Sequence, residues 1–424
     1  MEITNGSITF EGVPASVLAQ EVGTPLYVFE RQKVEARYMD FFEAIAHRPL
    51  EVLYSVKAHA SVYLLRVLRE VGAGVDACSL GDLVFAAAAG FPSEKISFAG
   101  FSLSQAELDR VLATNAFIVA DSMDQVERIG RSRRRSELAL RINCGITAGF
   151  HPHVQFSAVD SKFGIHIGSV SDAQALAERF DLQVVGLHSH VGSDLLEVEP
   201  HLRLLACLLE LAEGLPGVRL VDIGGGWGTP FLPEDPDYDL ACFGKAVTDM
   251  LSDFEERTGR PLALRVEPGA YLVMDAGFLL ASVTEIKPAV PTRDGQSPWF
   301  ACLDTSYNHL HSAVAYDTYH PVWIDKKAES IANQRYHVAG NLMQAGDVLA
   351  KDRLLPQVGV GDLVVFGKCG GYKACRSSTF NERGRPAEVM VHKGMATMIR
   401  EAERPEDLVT GQTEKTLEWE PIDV

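Results

Sequence analysis

From residue 52 to residue 269 the chain alternates between two textures, and this alternation limits its possible folds more than any other feature. Eight short apolar or β-branched runs recur: VLYSVKA, GVDACS, KISFAG, FIVAD, LALRIN, VVGLHSH, VRLVDIGGG and LALRVEPG. Between several of them lie SLGDLVFAAAAG, SQAELDRVLATN, SMDQVERIGRS and EPHLRLLACLLELAEG. These segments space apolar residues three or four apart, as a helix with one buried face does. Strands joined through helices lie parallel, because each helix returns the chain to the end of the sheet where the strand began. Eight such units predict an α/β fold built on a TIM-like (β/α)8 barrel, with an open doubly wound sheet as the alternative.

After Glu267 the texture changes. ASVTEIKPAV, PWFACLD, PVWIDKK, RYHVAG, GDLVVFG and AEVMVHKG follow with few helical patterns between them. They predict a C-terminal antiparallel β-barrel or sandwich domain. SITFEG and TPLYVFE, near the N-terminus, are strand-like as well. The expected organisation is a barrel over residues 30–267 and a discontinuous β domain made of 1–29 with 268–424.

The formal net charge of -18 argues against nucleic acid or an anionic membrane as partner, since both select a basic face. No run of apolar residues is long enough for a transmembrane helix, and MEITNGSITFEG lacks the pattern of a signal peptide. The seven cysteines are scattered, with no CxxC pair. They read as reduced thiols of a cytoplasmic protein, neither a disulfide framework nor a metal site.

In a barrel of this kind the active site lies at the C-terminal ends of the strands. Polar residues that end apolar strands therefore carry the information: Lys57, Asp76, Arg141, Asn143, His188, His190 and Glu267, with the glycines of GGGWG. A lysine ending a buried strand is expected to lose solvation and fall in pKa, which suits a Schiff-base amine. Gly224, Gly225 and Gly226 let backbone N–H groups approach a phosphate closely. His188 and His190 share a strand face and read as metal ligands, as satisfied core histidines, or as a lid over a flat cofactor. Glu267 is placed to pair with a protonated ring nitrogen or with Arg265. Together these are the requirements of pyridoxal 5'-phosphate. The glycines do not form a GxGxxG that opens an early βαβ unit, so a dinucleotide reading fails; two histidines alone do not make a metal site.

YSVKAH, GVDACSLGDL, HPHVQFSAVDSKFGIH, GLHSHVGSD, VDIGGGWG, VEPG, GDVLAKDRLLP, GDLVVFGKCGGY and FNERGRPAEVMV occur in that order. In this the chain resembles the fold-type III pyridoxal-phosphate decarboxylases of diaminopimelate, ornithine and arginine, and the diaminopimelate branch above all. The resemblance implies a carboxy-lyase acting on a small amino acid, as a homodimer with active sites at the interface. It implies that Lys57 carries the cofactor and that His190 stacks on its ring. Ser193, Gly224, Gly225, Gly226 and Tyr372 would hold the phosphate. Glu267 would face the ring nitrogen, and Asp76 would belong to the shell around the lysine.

The chain departs from that pattern in one region. Aligned on Gly346 and Asp347, Met343 stands where the family has a proton-donating cysteine, and Gln344 where it has a glutamate. Ala270 replaces the arginine of EPGR, and Ser312 falls where a second arginine is expected. All four changes lie on the substrate side. Two arginines are natural clamps for carboxylates, so their loss points to a non-standard or modified amino acid, as in specialised metabolism. Tyr307, His309, His311, Tyr316 and Asp317 are the expected substrate contacts, the first three on one face if that segment is extended. Cys375, His190, Tyr372 and Lys57 are candidates for the missing proton donor. Racemisation, oxidative or cyclising chemistry, diaminopimelate decarboxylation itself, and a silent cofactor-binding protein are the other readings.

Overall fold

The computed structural model describes residues 1–149, 156–288 and 298–414. The HPHVQ stretch of the motif at 151–166 therefore lies outside the described residues. Eight parallel strands close into a barrel: Leu50–Ser55, Gly74–Ala77, Ile96–Phe98, Phe117–Ala120, Glu137–Asn143, Gln183–His188, Leu220–Asp222 and Ala263–Val266. The last pairs with the first through Leu264 and Leu50, so neither edge is left open. Each strand falls within or beside a run that the sequence singles out, and closure excludes the open sheet. Val52, Tyr54, Val75, Leu140, Leu187, Val221 and Leu264 belong to the main apolar core.

Helices Leu80–Ala88, Gln105–Leu112 and Met123–Ser132 begin at Ser79, Ser104 and Ser122, whose side chains accept from backbone N–H groups of the first turn. Such caps satisfy donors that a helix start leaves orphaned. Ser79, although it follows a strand end, is thereby occupied as a structural cap.

Most of the remaining strands form a second, mostly antiparallel sheet, while Glu2–Thr4, Ser7–Phe10 and Val13–Pro14 make a small sheet of their own. Its path runs Val348–Leu355, Gln334–Ala339, Trp299–Leu303, Gly277–Pro288, Leu26–Glu30, Ala387–His392 and Met395–Arg400. Leu26–Glu30 is buried along its whole length. Tyr27 and Phe29 face the main core, whereas Leu26 and Val28 face a second one with Ile8, Phe10, Phe278 and Val389. Alternation along one strand thus joins the two cores.

The two domains meet in a tight joint. A methyl group on Gly370 would lie 1.6 Å from the Val273 carbonyl oxygen, and one on Gly277 would lie 2.2 Å from the Gly370 Cα. Gly370 N–H donates to Met274 and Cys369 N–H to Gly277. Just beyond, Tyr372 N–H donates to the Ala58 carbonyl at 2.7 Å, one residue from Lys57. The joint therefore delivers residues 371–376 to the barrel mouth. Among the described residues no helix is long and apolar enough to cross a membrane.

Gly370→Ala forces backbone apart at this joint. It is expected to cost about 3 kcal/mol or more, read as a lowered denaturation midpoint in urea, whereas Gly394→Ala, with open space around it, tests the strain of its φ of +77° alone and should cost less.

Candidate active site

Lys57 sits in the single turn Val56–Ala58 that follows the first barrel strand. Its ammonium donates to Asp76 at 2.5 Å and to Ser55 Oγ at 3.2 Å. Ser55 Oγ in turn donates to Asp76 at 2.6 Å. The expected fall in the lysine pKa is not what this arrangement produces. Burial does oppose the charge, but Asp76, then Tyr372 and Glu267, outweigh it and hold Lys57 above its ordinary value.

Glu267 ends the eighth strand at 4% exposure. Its Oε2 lies 3.2 Å from His188 Nε2. Burial pushes Glu267 up, but the His188 charge and hydrogen bond, with help from Lys57, bring it down to about 2. His188 is raised in turn: burial lowers it, and Glu267 more than compensates. Asp222, one strand over, is pushed by burial and by Glu267 up to about 8. The mouth therefore balances its charges internally. Lys57 answers Asp76, His188 answers Glu267, and Asp222 holds a proton near neutral pH. One ligand atom from each of His188, Asp222 and Glu267 lies within 4.8 Å of the others. A second oxygen, Glu267 Oε1, is buried and meets no partner. Buried carboxylate oxygens are rarely left so, and this one fits a donor such as a protonated ring nitrogen.

The glycine turn does more than the sequence suggests. Gly224 and Gly226 have φ of +68° and +122°. Methyl groups on Gly224, Gly225 and Gly226 would lie 2.7, 2.5 and 2.5 Å from the carbonyl oxygens of Ser189, Glu267 and Gly192. The turn is glycine because it packs on the tops of two neighbouring strands, and the same packing brings its backbone into the mouth beside Ser193. His190 stacks on Phe156 at 4.9 Å, and its Nδ1 lies 3.1 Å from the Gly225 carbonyl oxygen. Burial lowers His190 well below its ordinary value, and Lys57 adds to this, so the ring is neutral. Tyr372 is pushed by burial to about 12 and keeps its phenol proton. Cys375 Sγ lies 3.2 Å from the Ala58 carbonyl, and burial pushes its thiol to about 11.

The substrate-side residues are arranged differently from the expectation. Residues 305–309 turn rather than extend, and His311–Ala315 is a short helix. Tyr307, His309 and His311 therefore do not share one face. His309 is buried, 2.9 Å from Thr305 Oγ1, and burial lowers it to about 4; it serves the interior. His311 meets Tyr316 edge to face at 6.1 Å, and Asp317 pairs with Lys351 at 3.0 Å on the surface. Tyr307 donates to Gln344 at 2.6 Å. Met343 is 93% exposed, with its backbone N–H on Asn381.

Several members of the mouth were not singled out. Ser55 and Asp222 lie inside the YSVKAH and VDIGGGWG motifs and reach the mouth by strand position. His201 is a helix residue whose ring stacks on Trp227 at 4.5 Å and whose Nε2 lies 3.3 Å from the Gly225 carbonyl oxygen. His188 did carry a signal, since it stands two residues before His190.

Residues 31–274 match the model of the pyridoxal-dependent decarboxylase, pyridoxal binding domain. The chain belongs to this family. A diaminopimelate decarboxylase of Methanothermobacter thermautotrophicus is 32% identical to it over 96% of each chain. One from Pseudomonas fluorescens is 33% identical over 96% of this chain and 97% of its own. Among solved structures, the diaminopimelate decarboxylase of M. jannaschii superposes with a TM-score of 0.88 at 28% identity, covering 98% of both chains. Family membership makes the protein a carboxy-lyase with pyridoxal phosphate as its cofactor, and the orphaned Glu267 oxygen, the glycine turn and Lys57 beside Asp76 fit that group.

The Glu267 carboxylate, depressed in the folded state, adds stability above its unfolded value near 4.5 and loses it as the pH falls toward about 2. Glu267→Gln is thus expected to be less stable than the parent by roughly 2–3 kcal/mol at pH 6, with the two proteins converging as the pH approaches 2. Urea unfolding across that range measures it; parallel curves at every pH would contradict the pairing.

Proposed function

We propose that the protein decarboxylates an amino acid other than meso-diaminopimelate, a non-standard or modified one of the kind found in specialised metabolism. Lys57 would hold the cofactor aldehyde, His190 its ring face and Glu267 its ring nitrogen. Ser193, Gly224, Gly225, Gly226 and Tyr372 would hold the phosphate. When bound, the cofactor supplies an electron-poor ring that accepts the electron pair left as carbon dioxide departs. The protein's own task is then to hold the Lys57 nitrogen in place between Asp76 and Ser55, to keep the Glu267 carboxylate ionised, and to hold a proton ready for the product carbon. The thiol of Cys375, protonated and 3.4 Å from the backbone carbonyl of Lys57, would hold that proton.

The observation that carries the substrate reading is that both arginine positions are filled, not merely changed. Ser312 is buried, with its hydroxyl 2.9 Å from His320 Nε2, and His320 is fixed on the Gly367 carbonyl at 3.0 Å. A methyl at Gly371 would come within 3.2 Å of Ala270. The names of the relatives favour a second reading, diaminopimelate decarboxylation itself. We also propose the homodimer that the family resemblance implies, in which Met343, 93% exposed, would be free to meet the partner's site.

Profiling of purified protein with a panel of amino acids, by carbon dioxide release and mass spectrometry of products, separates the readings. Diaminopimelate should be turned over at no more than a trace; ordinary turnover would sink the first reading and establish the second. Exchange of the α-hydrogen for deuterium without carbon dioxide would instead indicate racemisation. Lys57→Ala should lose both the visible absorbance of the bound cofactor and all turnover. Cys375→Ala is expected to slow product formation by about 10²-fold while leaving cofactor absorbance intact, and unchanged turnover would remove the thiol from the mechanism.

A further inference from the structure

Lys373 is 4% exposed, and among the described residues the only acceptor of its ammonium is the Gly371 carbonyl at 3.1 Å. It forms no ion pair with any described carboxylate. A buried ammonium with one neutral acceptor is costly unless an anion completes it. The surroundings are also specific. Gly371, which holds the ammonium, packs on Ala270. On another side the charge of Lys373 lowers His311 and His320, which bracket Ser312, after burial has lowered both. The Phe231 ring lies 5.8 Å from the nitrogen, and Asp194, next to Ser193, feels its charge. The lysine thus stands between the two positions where the family pattern has arginines, and it is the residue after Tyr372.

We propose that Lys373 is the cation of an oxyanion site at the barrel mouth, doing from the β domain what arginines at 270 and 312 would do from their own segments. Gly371, whose carbonyl holds the ammonium, packs against Ala270, which ties the charge of Lys373 to one of those two positions. The occupant is a group with carboxylate or phosphate oxygens: a carboxylate of the amino-acid substrate or the phosphate of the cofactor. An ammonium is a point charge without the planar fork of a guanidinium, so it tolerates either. This inference rests on the reading of the mouth as a cofactor and amino-acid site.

Three probes test it on the full chain: pyridoxal phosphate and phosphate-free pyridoxal titrated into apoprotein, and the unreactive dicarboxylate glutarate titrated into holoenzyme. Lys373→Met should weaken binding of one oxyanion probe by about 10-fold or more and leave pyridoxal unchanged, while Lys373→Arg stays within about 3-fold of the parent. A loss confined to pyridoxal phosphate assigns the site to the cofactor phosphate. A loss confined to glutarate assigns it to a substrate carboxylate. Parent-like binding of both by Lys373→Met, or an equal loss for pyridoxal, overturns the proposal. If Lys373→Met does not fold, as judged by circular dichroism, Lys373→Gln carries the same comparison, because it keeps a donor for Gly371 and removes the charge. Absence of a Lys57-dependent visible band in the parent protein would instead sink the underlying reading, independently of any Lys373 variant.

Discussion

The contact on which the rest of the site depends is a backbone contact with no room for a side chain. Gly370 lies against the Val273 carbonyl, and Gly277 lies against Gly370. The chain leaves the barrel through Gly277 and returns to it, about ninety residues later in sequence, at Cys369–Tyr372. Because that return is fixed at a backbone-to-backbone distance, Tyr372 bonds Ala58, Cys375 sits over the Lys57 and Ala58 carbonyls, and Lys373 turns inward. A barrel of this type presents functional residues only from its own strand ends. Here a second domain adds three more from one short segment.

Electrostatics then divides the mouth into two halves. Around Lys57, Asp76, His188, Asp222 and Glu267, every charge has its counterpart among neighbouring strand ends, and burial makes each pairing strong. Glu267 Oε1, His188 Nδ1 and Asp222 Oδ2 are buried there without a hydrogen-bond partner. Around Ala270, Ser312 and Lys373 the balance is different. Ser312 is bonded to His320, Ala270 packs on Gly371, and the Lys373 ammonium is without a described anion. On the reading proposed above, the first half would serve the cofactor, and the second would take an anionic ligand and set substrate choice.

Much of this was legible along the chain. The eight apolar runs gave eight barrel strands because burial on both faces of a parallel strand leaves a continuous apolar signature. Lys57, Asp76, His190 and Glu267 stood out because each is a polar residue at the end of such a run. The reading failed where the signal was not periodic. Tyr307, His309 and His311 are two apart, which aligns them only in an extended segment; the chain turns there, and His309 is drawn into the interior by Thr305. The direction of the Lys57 shift also failed, since a strand-end lysine looks merely desolvated until its carboxylate neighbour from another strand is known.

The sequence by itself determined the alternation that closes the barrel and the change to strands after Glu267, because period and composition are local properties of the chain. Its ordered motifs carried the resemblance that implies the cofactor, and set Ala270, Ser312, Met343 and Gln344 against the family pattern, from which the altered substrate is proposed. Only the tertiary structure decided which charges compensate which. Asp76 and Lys57 come from neighbouring strands, His188 and Glu267 are 79 residues apart, and Lys373 meets Ala270 only through the packing of Gly371. Coulombic and packing terms depend on distance in space, and no local pattern in a sequence records that distance.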